Sequence, residues 1–473
     1  MMLIFFLLLI KTVLIYNLNK KMSSTQLYRN VGIPTSTYVN YNNRARIVVR
    51  DIAVGSLADL PRDGVSDCSA AIQNALDKGG LVQLPSGTFM IGSTLEIKNN
   101  FATLQGAGNS TVLKLMDGKN VPIIKVDQAD FVTIQDLFID GNKANQASGN
   151  GVEVYRCYRC LLLNVTIDKV KDTGLYSSGI SRSAGEVTSL TTTIGCIIQS
   201  CGQDSIQHNL YSQDPQHANT YTQDAGRYGL FMNGNFGGQI TDCHFFRNGD
   251  HGVLLLDGGR HNFVSCNSDL NQNWGFVLSG TNTGSYITGC RIFDNNQAGA
   301  GLGGVGAISL DGTVKRCVIM GNVIYDEQLF KTQTIGIKLA TGTTENTIVD
   351  NSISDAASGK YDLVGNAALN NTVIASESNK YNLLNTTEST SEATGCLVLS
   401  GGLGVGKTAY VNNLICDDDS SISAKLKQLV IKNSESPASG DAGTPGSIIW
   451  DADYLYVCTA SGAWKRVALT GLY

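Results

Sequence analysis

The chain has 473 residues, 16% of them charged, with a formal net charge of −5. That balance sets aside a broadly basic surface and a nucleic-acid partner, and the length leaves room for more than one domain. Glycine is plentiful at 52 and proline scarce at 7, a mixture that suits many short strands joined by tight turns better than a helical protein.

The chain opens on MMLIFFLLLIKTVLIY, apolar except for Lys11 and Thr12. A membrane span wants ~20 apolar residues without a central charge, and a signal peptide wants a basic start and a small-residue cleavage site. Residues 1–21 therefore read as a signal-anchor or as sequence ahead of a true start at Met22, the second being favoured; residues 22–50 read as a linker. RDGVSDCSAAIQNALDKGG then predicts a turn, an N-cap at Ser66 or Asp67, one helix to about Asp77 and a Gly-Gly stop. Its apolar stripe is Ala71, Ile72, Ala75 and Leu76, and it suits a cover over the open end of a sheet.

From about residue 100 to 385 one unit recurs: a glycine after a polar residue leads a short strand. The glycines are Gly151, Gly174, Gly229, Gly252, Gly275, Gly306 and Gly336. Most are 23 to 31 residues apart, and Asp204-Ser-Ile-Gln stands at the rung missing between Gly174 and Gly229. Cys243, Cys266, Cys290 and Cys317 mark a second strand of the same unit, with Asn351 one coil later, and are expected as an inward-facing ladder of free thiols. Cys157 and Cys160 form the one C-x-x-C pair, too little for a metal site. Units this short bury their apolar faces only by stacking, and nothing between the strands has helical period. The fold expected is all-β: a parallel β-helix over 51–385 with an N-terminal capping helix.

Asp63-Gly-Val-Ser-Asp through Ala70-Ala-Ile-Gln, then LVQLPSGTFMIGSTLEIKNN, TLQGAGNSTVLKL and Phe138-Ile-Asp-Gly-Asn, closely resembles the start of pectate-lyase-like right-handed β-helix proteins. The resemblance implies the handedness of the solenoid. It leaves the activity open, because that superfamily includes lyases, glycoside hydrolases, epimerases and catalytically silent virion spikes.

A Ser/Thr/Glu-rich linker, 386–395, leads to a module over 396–436 and then to a β-meander over 437–473, with strands expected at Ser447 to Trp450, Tyr454 to Thr459 and Trp464 to Leu469. The first module holds GGLGVGKT, a match to the phosphate-binding G-x-x-x-x-G-K-[ST] loop. That loop needs a following helix, whereas Ala-Tyr-Val-Asn-Asn-Leu-Ile-Cys favours a strand, and too little chain remains for several βαβ units. No nucleotide site is expected, and Ser447-Ile-Ile-Trp-Asp451 imitates a Walker B strand inside the meander. Both segments resemble modules of phage tail fibres and of surface fibres of large DNA viruses. Together with the β-helix, that resemblance implies a virion-surface fibre or spike, homotrimeric, with other virion proteins and a host-surface polysaccharide as partners. The alternative is a polysaccharide depolymerase, hydrolase or lyase, borne on the same spike, and a secreted lyase is a weaker third reading.

Alternation after the repeat glycines predicts an outward row of Glu153, Tyr176, Gln207, Phe231, Leu254, Val277 and Lys338. A second row just before the glycines holds Asp172, Asp204, Arg227, Asp250, His251 and Trp274. Glu153, Tyr176, Arg227, Phe231 and Trp274 are expected to bind sugar through ring faces, a cation and a carboxylate. Asp172, Asp204, Asp250 and His251 are the catalytic candidates, since two carboxylates ~5–9 Å apart can cleave a glycosidic bond. Asp250-His251-Gly252 partly resembles the G-H-G element of polygalacturonases, with Asp for the first glycine, and that family's other elements are not evident. A lyase of the superfamily would use calcium and a basic residue, for which Arg227 is the candidate; otherwise no cofactor or metal is expected. The alternative role for these aspartates is turn capping. His208, His217, His244 and His261 receive no functional role.

Overall fold

The computed structural model describes residues 57–181, 185–299, 306–356, 359–363, 371–377, 380–383 and 445–470, with a two-stranded pairing of Thr37–Tyr38 and Val48–Val49. Residues 1–21 and the phosphate-loop motif lie outside the described residues. No helix among those described is long and apolar enough to cross a membrane. The chain divides into two compact units, Met1–Val398 and Leu399–Tyr473.

The first unit is a parallel β-helix. One face is an eleven-stranded sheet running from Leu95–Ile97 to Gly359–Asp362, every adjacent pair parallel. Ile206–His208 fills the rung expected between the Gly174 and Gly229 coils. The other two faces join into one sheet, because Val132–Asp140 and Tyr158–Asp168 run through the corner between them. One residue per coil turns that corner in the left-handed region: Asp136, Asn164, Gly195, Asn219, Asp242, Ser265 and Gly289, all with φ between 48° and 63°. Asn, Asp and Gly tolerate that conformation best, so their recurrence in polar turns is the local code for the bend. The repeat glycines answer a different need: a Cβ on Gly174 would stand 2.4 Å from Ile198, and one on Gly275 2.5 Å from Ile292.

The lumen holds one continuous core from Leu57 to Val373. The ten described cysteines are all free and buried. Their ladder differs from the expected one at a single position. Register aligns Cys196, Thr220, Cys243, Cys266 and Cys290 with Asn322 and Asn351, while Cys317 stacks on Ser285 and His261. A longer excursion after Arg291–Phe293 shifts the count, so a spacing of 27 residues falls on a neighbouring strand.

Buried amides add a second ladder. Asn248 donates to Asn271 (2.9 Å), Asn271 to Asn295 (2.9 Å) and Asn295 to Gln333 (3.3 Å), each side chain also serving main-chain groups. Each rung satisfies groups that no water reaches, so cutting one strands several. Asn271→Leu is expected to cost about 3–5 kcal/mol, read as a drop in the denaturant midpoint. A loss below ~1 kcal/mol would show that the ladder is not structural.

The capping helix spans Ser69–Leu76, with Ile72, Ala75 and Leu76 buried and Ala71 half-buried. Asp63–Asp67, read as a turn, forms a strand, and the N-cap position falls on Cys68. Asp67 still serves the helix start, accepting from the Ser69 amide at 2.9 Å and its hydroxyl at 2.6 Å. The C-terminal unit contains the expected meander, Ile448–Trp450, Tyr454–Ala460 and Ala463–Ala468, all antiparallel. Asp451 accepts from the amides of Asp453 and Tyr454 and from the Tyr456 hydroxyl, and so organises the turn between the first two strands.

Candidate functional site

The outward row forms in the expected register, with Phe231 and Val277 buried beneath their neighbours. Register stacks Glu153, Tyr176, Gln207, Phe231, Leu254 and Val277, and extends the ladder through Ser309 to Lys338. The row before the glycines divides into two adjacent ladders. Main-chain hydrogen bonds link Gly149, Asp172, Gln203, Arg227, Asp250 and Asn273 in one, and Thr173, Asp204, Tyr228, His251 and Trp274 register in the next. Asp172, two residues before Gly174, and Asp204, one residue before the Ser205 that takes the glycine's place, therefore belong to different ladders.

Arg227 is the centre of the surface. Its Nε donates to Asp204 Oδ1 at 2.8 Å and its Nη2 to Oδ2 at 2.6 Å, while the Tyr228 amide also donates to Oδ1. Asp204 has no exposed surface, so both its oxygens are committed and it positions Arg227 instead of facing a ligand. Burial lifts the Asp204 pKa against the pull of the guanidinium, and the hydrogen bonds that Arg227 donates to Asp204 raise its own. Thus pinned, the guanidinium lies 4.8 Å from the Tyr228 ring centre and 5.4 Å from that of Phe231, with 39% of the side chain exposed. Its charge is fixed and its fork is preorganised.

The Tyr228 ring stacks on His251 at 5.5 Å and 16°, continuing the ring surface toward Trp274. Burial holds the His251 pKa below its ordinary value, so the imidazole is neutral at pH 7. Its Nδ1 lies 3.1 Å from Asp250 and 3.3 Å from the Trp274 amide, and its Nε2 makes no hydrogen bond among the described residues. Asp250 also accepts from the Asn273 amide group at 2.6 Å. Asp172 accepts from the Gly149 main chain at 2.7 Å, the turn-capping role. Toward the N-terminal coils, Tyr155 and Tyr176 rings lie 5.8 Å apart, Asn209 donates to the Tyr176 hydroxyl, and Asn150 donates to Glu153. Toward the C-terminal coils, Trp274, Val277 and Ile335 pack with Leu254 into a small external apolar cluster.

This arrangement offers the half-buried Tyr228 ring, one fixed cation and a neutral imidazole to an extended ligand. Phe231 and Trp274, expected to face the sugar, are buried at 8% exposure each and back that surface. Sequence reasoning missed Tyr228, whose position directly after Arg227 in the repeat was the available signal. Among the described residues no three His, Cys, Asp or Glu side chains gather as a metal cradle, and Asp204 is already bound to a guanidinium.

A family model described as the right-handed β-helix region matches residues 122–269, 179–353 and 228–402. Comparison with curated proteins gives no match. Solved structures with a similar fold include the A-module of the Azotobacter vinelandii mannuronan C-5 epimerase AlgE4, at a TM-score of 0.54 and 20% identity over 67% of this chain and 98% of that one. Another is ORF18 of Geobacillus virus E2, at 0.52 and 17% over 87% and 85% of the two chains. The enzymatically active domain of tailspike protein 2 from bacteriophage CBA120 scores 0.51 at 13% identity over 64% and 50%.

Proposed function

The chain belongs to the right-handed β-helix family, and from that premise we propose that it is a virion-surface fibre or spike protein, trimeric, that binds host-surface polysaccharide along the exposed face of its eleven-stranded sheet. The carrying observation is the Asp204-pinned guanidinium of Arg227 set among Tyr228, Phe231 and His251. Sugars present apolar ring faces to aromatic side chains and polar or acidic groups to a fixed fork of donors. The phage tailspike and the virus protein among the structural neighbours support the virion setting.

A second reading, a polysaccharide depolymerase, draws on His251, whose neutral imidazole with an open Nε2 beside Asp250 suits proton transfer. Incubation with polygalacturonate, alginate, heparin and dextran separates the two. Retention on an acidic polymer with no new reducing ends and no unsaturated-uronate absorbance is the expected result, and Trp274→Ala should weaken retention roughly tenfold. Cleavage that disappears in His251→Gln or Asp250→Asn would replace the binding reading with the enzymatic one.

A further inference from the structure

A second concavity lies on a different face of the solenoid. It has a volume of about 330 Å³ and is lined by Phe131, Arg159, Leu161, Leu190, Thr192 and Gln216, among others. Two parallel ladders build it. Thr133, Leu161, Thr192 and Gln216 stack along the strands, while Phe131, Arg159 and Leu190 stack at the corner just before them. The groove therefore runs along the solenoid axis across successive coils.

The corner residues occupy the left-handed region, with φ of 59° at Phe131, 66° at Arg159 and 57° at Leu190. The same corner carries Asp214, Gly237, Arg260, Gly284 and Arg316 in the coils that follow, all in the left-handed region, so this backbone is a feature of the whole ladder. What distinguishes this stretch of the corner is its side chains, two of them apolar and one cationic, beside the concave strand face. The aromatic wall is braced in advance: Phe131 stacks on Phe101 at 5.1 Å and 11°, and meets Tyr158 edge-on at 5.5 Å. Arg159 is exposed, lies 6.0 Å from the Phe131 ring and makes no ion pair among the described residues.

We propose that this groove is a second saccharide site, taking a short anionic segment of glycan along the solenoid axis. An apolar ring face lies on Phe131 and Leu161, hydroxyls reach Thr192 and Gln216, and the acid group pairs with Arg159, the one charged residue of the lining. It rests on the reading that the chain binds polysaccharide, but at a separate face.

Oligogalacturonate and oligoguluronate, with neutral isomalto-oligosaccharides as control, are titrated into the full chain and into Arg159→Asn and Arg227→Ala. Asparagine keeps the left-handed corner, so the melting temperature of Arg159→Asn should hold or rise. The wild type should show two classes of acidic-sugar site. Arg159→Asn should weaken one class roughly tenfold or more, and Arg227→Ala the other. An isotherm unchanged in Arg159→Asn but abolished in Arg227→Ala overturns this proposal and leaves the first reading standing. A wild type that binds no acidic probe overturns both. An oligomer that dissociates in Arg159→Asn or Phe131→Ala without any change in sugar binding shows that a second copy of the chain fills the groove, and also overturns it.

Discussion

Acidification from pH 7 to about pH 4.5 should remove about 2–3 kcal/mol of stability for each of His217 and His261, with a further loss from His208, the three imidazoles sealed in the lumen. His208 Nε2 faces His217 Nε2 at 2.8 Å, His208 Nδ1 pairs with the Ser177 hydroxyl at 2.6 Å, and His217 Nδ1 pairs with Thr193 at 2.7 Å. Two ring nitrogens at that distance share one proton, and a second would set N–H against N–H. Burial is the leading cause that holds all three histidines below their ordinary value of 6.5, His217 at about 3, His261 at about 4 and His208 well down, with His217 and His261 adding to the effect at His208. The His261 Nδ1 accepts from the Gly238 amide at 3.1 Å, which an imidazolium could not do, and its Nε2 has no hydrogen-bond partner among the described residues.

The sign follows from the unfolded chain. Above pH 6.5 both states hold these imidazoles neutral and the stability is intact. Below 6.5 the unfolded chain takes up protons that the native lumen refuses, so stability falls at about 1.4 kcal/mol per pH unit and per imidazole until the native pKa is reached. Denaturant midpoints across this range are the measurement. The His208→Gln/His217→Gln double variant should show a slope shallower by about two imidazoles' worth. Equal slopes in the variant and the wild type would sink the idea.

Arg227→Ala should cost about 3–5 kcal/mol of stability as well as polysaccharide binding, because it leaves Asp204 as a fully buried, uncompensated carboxylate. The apolar double variant Asp204→Leu/Arg227→Met should regain most of that stability, since well-packed apolar groups often replace a buried ion pair without loss. It should not regain binding. Recovery of both would mean that the guanidinium only supports the backbone and never meets the sugar. If neither returns, the pair's contribution is tied to its hydrogen bonds to the Tyr228 turn.

Much of this molecule was legible before any coordinates. Glycines that recur every 23 to 31 residues announce coils, because a solenoid repeats its close approaches once per turn. The outward row from Glu153 to Lys338 was readable for the same reason: strand alternation has a period of two and needs only a known starting residue. Reading failed where an excursion changed the count, at Cys317, and where one residue separates two ladders, at Asp172 and Asp204. Turn residues sort into ladders by their distance from the repeat residue, two at Asp172 and one at Asp204, which a single row had merged.

By itself, then, the sequence determined the repeat, the inward thiols, the capping helix and the meander, since each depends on local pattern and on burial that recurs in register. Only the tertiary structure decided the chemistry of the surface. Asp204, a candidate acid by composition, became an anchor for Arg227 because its side chain turns inward 23 residues ahead of its partner. Three histidines with no assigned role became a sealed polar pair and its neighbour, because they meet only once the coils close. The groove at Phe131 and Arg159 exists only where stacked corners and strands meet, a relation between coils that spacing along the chain does not reveal.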